Sequence, residues 1–167
     1  MTEHPLLRAD QILKTLLDGH VRFVLIGGLA SQVHGSPSLT GDVDICFALD
    51  GENLHRLSAA LASMAAIRRG FEGGIHAPID HRALRAGDVF TLSTRFGDLD
   101  LLAHPDPHLD FETLMGRSIA AEIFGMEVRV ASLEDLMAMK RAAGRPKDRI
   151  ELEILGALRE ELDRRDE

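Results

Sequence analysis

The sequence has no tryptophan or tyrosine and only 7 phenylalanines among its 167 residues. Proteins that bind single-stranded nucleic acid stack successive bases on aromatic side chains. Such side chains are sparse here, so we expect no extended base-stacking surface.

Cysteine is almost as scarce, because Cys46 is the single one in the chain. One cysteine excludes an intramolecular disulfide and a zinc site built on cysteine ligands, and it agrees with a reducing compartment. The longest apolar runs, such as residues 23–26, are far too short to span a bilayer. The first ten residues lack the apolar core of a signal peptide. We therefore expect a cytoplasmic protein that does not interact with membranes.

Positive charge is in the minority, with 19 Lys and Arg against 27 Asp and Glu and a net charge of −8. An acidic protein does not attract polyanions through its overall field. A nucleic-acid substrate would therefore need a local basic patch or a bound metal ion. Hydrophobic residues at 45% and charged residues at 28% are ordinary for a folded domain.

Hydrophobic periodicity and turn residues predict the order of helices and strands. Helices are expected over residues 5–18, 29–34, 52–69, 132–143 and 146–164, and a short helix or turn over 110–116. Strands are expected over residues 23–26, 42–47, 88–94, 98–103, 121–124 and 127–130. Residues 70–78 show no clear pattern.

Adjacent strand pairs alternate with helical crossovers in this order, which predicts an α/β (α+β) fold with a mixed β-sheet flanked by helices. We expect a core over residues 1–131 and a C-terminal helical segment over 132–167. The segment would pack on the core, so that both form a single compact unit.

The strongest local signal is the acid pair Asp42 and Asp44. On a strand these side chains point to the same face, about 7 Å apart at their Cα atoms. Two carboxylates held so close repel, and at least one resists ionisation unless a cation joins them. Mg²⁺ is the natural cation because it prefers oxygen ligands.

Two further acids, Asp98 and Asp100, lie on a later predicted strand. Asp100 is flanked by leucines, and an acid in such a setting needs a partner or a metal ion. Asp98 follows a turn glycine and shares a face with Asp100. We prefer Asp100 as the third acid and keep Asp98 as the alternative.

Gly27 and Gly28 stand between a buried strand and a helix. A turn of this kind leaves backbone N–H groups free at a helix N-terminus, where they suit phosphate oxygens. Three carboxylates beside it would hold two Mg²⁺ ions and align an attacking hydroxyl with an α-phosphate.

These elements together resemble the nucleotidyltransferase superfamily with the DNA polymerase β-like fold. The resemblance runs over about residues 20–155 and rests on Gly27-Gly28, His34-Gly35, Thr40, Asp42-Val43-Asp44 and Leu99-Asp100-Leu101. Within the superfamily the pattern is similar to the AbiEii-like branch, known from type IV toxin–antitoxin systems. That branch also has a C-terminal Lys followed by an Asp, which Lys140 and Asp148 match.

The resemblance implies a nucleotidyltransferase that moves an NMP from an NTP to a hydroxyl. It implies that Gly27 and Gly28 contact the triphosphate, that Asp42, Asp44 and Asp100 hold Mg²⁺ or Mn²⁺, and that Asp100 acts as base. Lys140 would neutralise phosphate charge, and Asp148 would either support Lys140 or join the site. The acceptor would be the end of an RNA, such as a tRNA, or a protein, and a cognate antitoxin or toxin would be a partner.

One position departs from the family pattern, because Ser38 stands where relatives often carry an arginine that would help to bind phosphate. The departure motivates a second hypothesis, a catalytically weak nucleotide-binding partner of a toxin–antitoxin pair. A third is a small-molecule nucleotidyltransferase of the aminoglycoside-modifying kind. Such enzymes usually have an additional acceptor-binding domain, for which this chain has little room.

Overall fold

A computed structural model describes residues 5–70 and 77–167, and within them the chain forms a seven-stranded sheet flanked by helices. The strands are β1 (Phe23–Ile26), β2 (Asp42–Phe47), β3 (Ile67–Arg68), β4 (Val89–Thr94), β5 (Gly97–Leu102), β6 (Ile119–Ile123) and β7 (Met126–Val130). Their order in the sheet is β3-β4-β5-β2-β1-β7-β6. The β2–β5 and β1–β7 pairs are parallel and the others antiparallel. The predicted mixed sheet is thus confirmed.

Seven helices accompany these strands in the described part of the chain. They are α1 (Ala9–Asp18), α2 (Gly27–Val33), α3 (Gly51–Ser63), α4 (His81–Ala86), α5 (Phe111–Arg117), α6 (Leu133–Ala143) and α7 (Pro146–Arg165). None of these helices is both long and apolar enough to cross a membrane.

The prediction of one helix over residues 52–69 is wrong. Helix α3 ends at Ser63, Ala65 adopts a left-handed backbone with φ of +53°, and the chain continues into the short strand β3. Left-handed backbone is rare for alanine, so the residue types at this turn did not predict it. Helix α4 was also not predicted, and α1 begins at Ala9 rather than at residue 5. Most of the residues without a clear pattern, 71–76, lie outside the described part of the chain.

Alternation along the central strands divides the sheet into a buried and an open face. On β2, Val43 and Ile45 are fully buried, and on β5 Leu99 and Leu101 are too. The positions that alternate with them on the two strands hold acids that are only partly buried, namely Asp42, Asp44, Asp98 and Asp100. Period-2 alternation therefore places all four acids on the other face of the sheet.

Candidate active site

The parallel pairing of β2 with β5 brings the acids together. Asp42 lies opposite Asp98 and Asp44 opposite Asp100 in the register. Carboxylate oxygens of Asp42, Asp44 and Asp100 all lie within 4.8 Å of one another. Three oxygen donors at this spacing fit a hard divalent cation such as Mg²⁺.

Asp44 is the acid most affected by this crowding. Burial raises the pKa of Asp44, and together with the neighbouring charges of Asp42 and Asp100 it brings the value to about 8. Burial also raises the pKa of Asp100, although the adjacent guanidinium of Arg69 opposes the change. Without a metal ion, the three acids therefore keep a proton near neutral pH. A divalent cation bound between them would replace that proton.

Gly27 fits closely against Asp44 at the start of α2. Its φ is +72°, and a Cβ at this position would lie 2.7 Å from Cγ of Asp44. Gly28 is equally close to Thr40, where a Cβ would lie 2.8 Å from the threonine Cβ. The Thr40 hydroxyl in turn donates to Oδ1 of Asp42 at 3.3 Å. The two glycines let the first turn of α2 approach the acids.

A cleft of about 600 Å³ opens in front of these acids. Helices α6 and α7 supply part of its wall, including Lys140, Arg145, Lys147 and Asp148. All the predicted site residues line this cleft, namely Gly27, Gly28, Asp42, Asp44, Asp100, Lys140 and Asp148. The structure thus gathers residues from both ends of the sequence around one opening.

Asp148 holds the basic wall of the cleft together. It is fully buried, and its carboxylate accepts hydrogen bonds from Nε of Arg145 at 2.7 Å and from Nζ of Lys140 at 3.4 Å. Burial opposes its ionisation, but the hydrogen bonds from Arg145 and the charges of Lys140 and Arg145 outweigh burial and lower the pKa of Asp148. An ionised Asp148 therefore orients both cations at the cleft.

Asp98 has different contacts from Asp100. It accepts a hydrogen bond from the Ser93 hydroxyl at 3.2 Å and forms an ion pair with Nη1 of Arg69 at 2.9 Å. Arg69 also pairs with Asp100 through its other terminal nitrogen. Sequence reasoning missed Arg69, since the predicted helix over 52–69 gave no reason to expect it beside β5.

The contact of Ser38 with Glu151 was also missed. Ser38 and Ser36 both donate their hydroxyl hydrogens to Glu151 of α7, at 2.7 and 2.9 Å. One signal was available in the sequence, because Asp148, Glu151 and Leu155 recur at helical spacing on one face. All three are buried.

No protein-family model and no curated protein matches the sequence, but several solved structures share its fold. The lincosamide antibiotic adenylyltransferase LnuA, bound to lincomycin, aligns with a TM-score of 0.60 at 15% identity over 90% of this chain and 95% of its own. ANT(2'')-Ia in complex with adenylyl-2''-tobramycin aligns at 0.55 and 18%, over 95% and 97% of the two chains. A nucleotidyltransferase-like protein from Paracoccidioides brasiliensis aligns at 0.58 and 17%, over 92% and 77%.

These likenesses extend over nearly the whole chain and agree with the fold that the sequence resemblance implied. The identities are low, so the agreement concerns the arrangement of the sheet and helices. The chain therefore has the nucleotidyltransferase fold.

Proposed function

We propose that this protein is a divalent-metal-dependent nucleotidyltransferase that transfers an NMP from an NTP to a hydroxyl group. The observation that carries the proposal is the cluster of Asp42, Asp44 and Asp100, with oxygens within 4.8 Å of one another. It lies in a cleft with basic residues on another wall, on the nucleotidyltransferase fold.

In the proposed reaction the acceptor oxygen attacks the α-phosphorus, and the bond from that phosphorus to the β-phosphate oxygen breaks. Pyrophosphate leaves, and the hydroxyl proton passes to Asp100 as the base. Asp42, Asp44 and Asp100 would hold Mg²⁺ or Mn²⁺. The metal would supply charge neutralisation at the phosphates and help to align the acceptor with the α-phosphate.

The chain's own residues have the remaining roles. Backbone N–H groups in the first turn of α2, at Gly27 and Gly28, lack partners within the helix and would donate to phosphate oxygens. Lys140 and Arg145, oriented by Asp148, would neutralise charge on the β- and γ-phosphates. Thr40 fixes the carboxylate of Asp42.

The experiment measures label transfer from each of the four α-labelled NTPs with Mg²⁺ or Mn²⁺. The acceptors are the protein itself, total tRNA and a panel of hydroxyl-bearing small molecules. We expect transfer that Asp44→Asn abolishes. Asp18→Asn makes the same chemical change at an exposed residue of α1, paired with Lys14, and should keep wild-type activity. Transfer that persists in Asp44→Asn would contradict the proposal.

Of the acceptors tested, small molecules and RNA each have an observation in their support. Small molecules are supported by the neighbours that bind lincomycin and adenylyl-2''-tobramycin, because this chain spans 95% and 97% of those proteins. The size of the chain therefore does not argue against a small-molecule acceptor, contrary to the expectation from the sequence.

An RNA acceptor is supported by the basic residues of the cleft, Lys140, Arg145 and Lys147. If tRNA is the acceptor, its binding should weaken steeply with added salt. A toxin of the AbiEii-like branch, acting with a cognate antitoxin, belongs to this version of the proposal. It predicts that expression arrests growth and that Asp44→Asn relieves the arrest.

A nucleotide-binding partner without catalytic activity is the competing function. It predicts no transfer to any acceptor, and the absence of Mg²⁺- or Mn²⁺-dependent NTP binding would favour it. Retention of three clustered acids favours the enzyme, because such acids are costly to keep without a cation.

A further inference from the structure

Arg69 lies between the two acids of β5 and contacts both. Its Nη1 pairs with Oδ2 of Asp98 at 2.9 Å, and its Nη2 pairs with Oδ1 of Asp100. Its backbone N–H donates to the carbonyl of Thr91 on β4 at 2.9 Å. The guanidinium side chain is 25% exposed. The positive charge is thus held at a defined place beside the acid cluster.

Asp100 therefore has two competing electrostatic partners. On one side it faces Asp42 and Asp44, where a divalent cation would be held, and on the other it pairs with Arg69. Arginine stays charged at every accessible pH. A cation among the three acids would be repelled by this guanidinium and would share Asp100 with it, because the site is only partly open to solvent.

Resting on the proposed function, we propose that Arg69 is a positioning residue that weakens the hold of a divalent cation on Asp100. Asp42 and Asp44 then act as the stronger ligands, and Asp100 as a weaker one. Asp98 has a separate role, since it draws Arg69 away from Asp100 and balances its charge. The two acids considered for the third position thus act differently: one ligates the cation and the other holds the arginine.

The test measures Mn²⁺ affinity from the electron paramagnetic resonance signal of free Mn²⁺, at one pH and ionic strength and without nucleotide. Arg69→Met should tighten Mn²⁺ binding by roughly tenfold, because a nearby positive charge is removed. Arg69→Lys keeps the charge and should stay close to wild type. In Asp98→Asn, Arg69 forms an ion pair with Asp100 alone, and Mn²⁺ binding should weaken several-fold.

Arg56→Met is the matched control, because Arg56 pairs with Glu52 on the surface of α3. It removes the same charge from the chain without touching the acids, and should leave Mn²⁺ affinity unchanged. Thermal unfolding of each variant shows whether it is folded. If Arg69→Met does not fold, Arg69→Gln takes its place, because it also removes the charge and should tighten Mn²⁺ binding in the same way.

Equal Mn²⁺ affinity in Arg69→Met and Arg56→Met would overturn the inference, as would tighter binding in Asp98→Asn. Asp44→Asn separates this failure from failure of the proposed function. If wild type binds Mn²⁺ and Asp44→Asn does not, the metal site exists, and only the role of Arg69 is at issue. If wild type binds no Mn²⁺, or if Asp44→Asn binds Mn²⁺ as tightly as wild type does, the acids hold no metal ion. Both proposals then fail.

Discussion

The Ser38 hydroxyl donates to a carboxylate oxygen of Glu151 at 2.7 Å, and Ser36 donates to the other oxygen. The position thus joins the loop before Thr40 to helix α7. The serine at position 38 therefore has a structural role, because its hydroxyl holds this connection.

Removing this connection should destabilise the protein. We expect Ser38→Ala to lower the free energy of unfolding by about 1–2 kcal/mol, because a buried carboxylate loses a donor. In a double-mutant cycle with Glu151→Gln, the two changes should be coupled by about 1 kcal/mol. Denaturant unfolding measures both the loss of stability and the coupling energy. Glu153→Ala, at a neighbouring position of α7, should change stability by less than about 0.5 kcal/mol, and additive effects of Ser38 and Glu151 would speak against a shared contact.

Gly27→Ala should damage both stability and the acid cluster. The new Cβ would lie 2.7 Å from Cγ of Asp44, and alanine would have to adopt a φ of +72°. Left-handed backbone alone costs roughly 1–2 kcal/mol for an L-residue, and the steric overlap adds to it. We expect a loss of at least about 2 kcal/mol in denaturant unfolding and weaker Mn²⁺ binding.

Gly156→Ala is the control for that change, because nothing lies within 4 Å of a Cβ there and the residue is inside helix α7. It should raise stability by up to about 1 kcal/mol. Tolerance of alanine at both positions would show that Gly27 is not constrained by Asp44.

The stability of the metal-free protein should fall as pH rises between about 4 and 8. Asp44 has a folded-state pKa of about 8 against an ordinary value of 3.8, so the folded state binds more protons than the unfolded state in that window. The stabilisation is complete below the ordinary pKa and is lost as pH rises through the folded pKa. The slope contributed by this group is at most about 1.4 kcal/mol per pH unit.

Denaturant unfolding in a chelator, at a series of pH values, measures this slope. Asp44→Asn should remove it, because the amide does not titrate. A slope of the same size in Asp44→Asn would assign it to other groups.

Asp148→Asn should loosen the basic wall of the cleft. The amide keeps the shape of the side chain but not the charge that pairs with Arg145 and Lys140. Arg145 is 57% exposed, so solvent screens part of the loss, and we expect about 1–3 kcal/mol in unfolding. The KM for NTP should rise more than kcat falls. Asp163→Asn, at an exposed acid of the same helix, should change neither quantity.

The sequence predicted the central strands well because β1 is a continuous apolar run and the first half of β2 and all of β5 alternate between buried and partly buried residues. The pattern over residues 42–47 matches β2, and it places Asp42 and Asp44 on one face. The sequence also predicts the N-cap at Ser132. In the structure its side chain accepts a hydrogen bond from the backbone N–H of Asp135. These features depend on neighbours along the chain, which the sequence displays directly.

The missed features depend on contacts between distant segments. Strand β3 has only two residues, too few to show a period, and the turn at Ala65 has no glycine or proline to mark it. Arg69 reaches Asp98 and Asp100 only because β3 and β5 flank β4 in the sheet. No local pattern specifies that order of strands.

The register between β2 and β5 also bears on how the protein folds. The acid cluster exists only after these two strands, distant in sequence, have paired with Asp44 opposite Asp100. A shift of two residues would keep Leu99 and Leu101 on the buried face but would place Asp98 beside Asp44 instead. A cation that prefers the native cluster would bind only correctly paired chains, so its uptake during refolding would mark completion of the sheet and favour the native register by mass action.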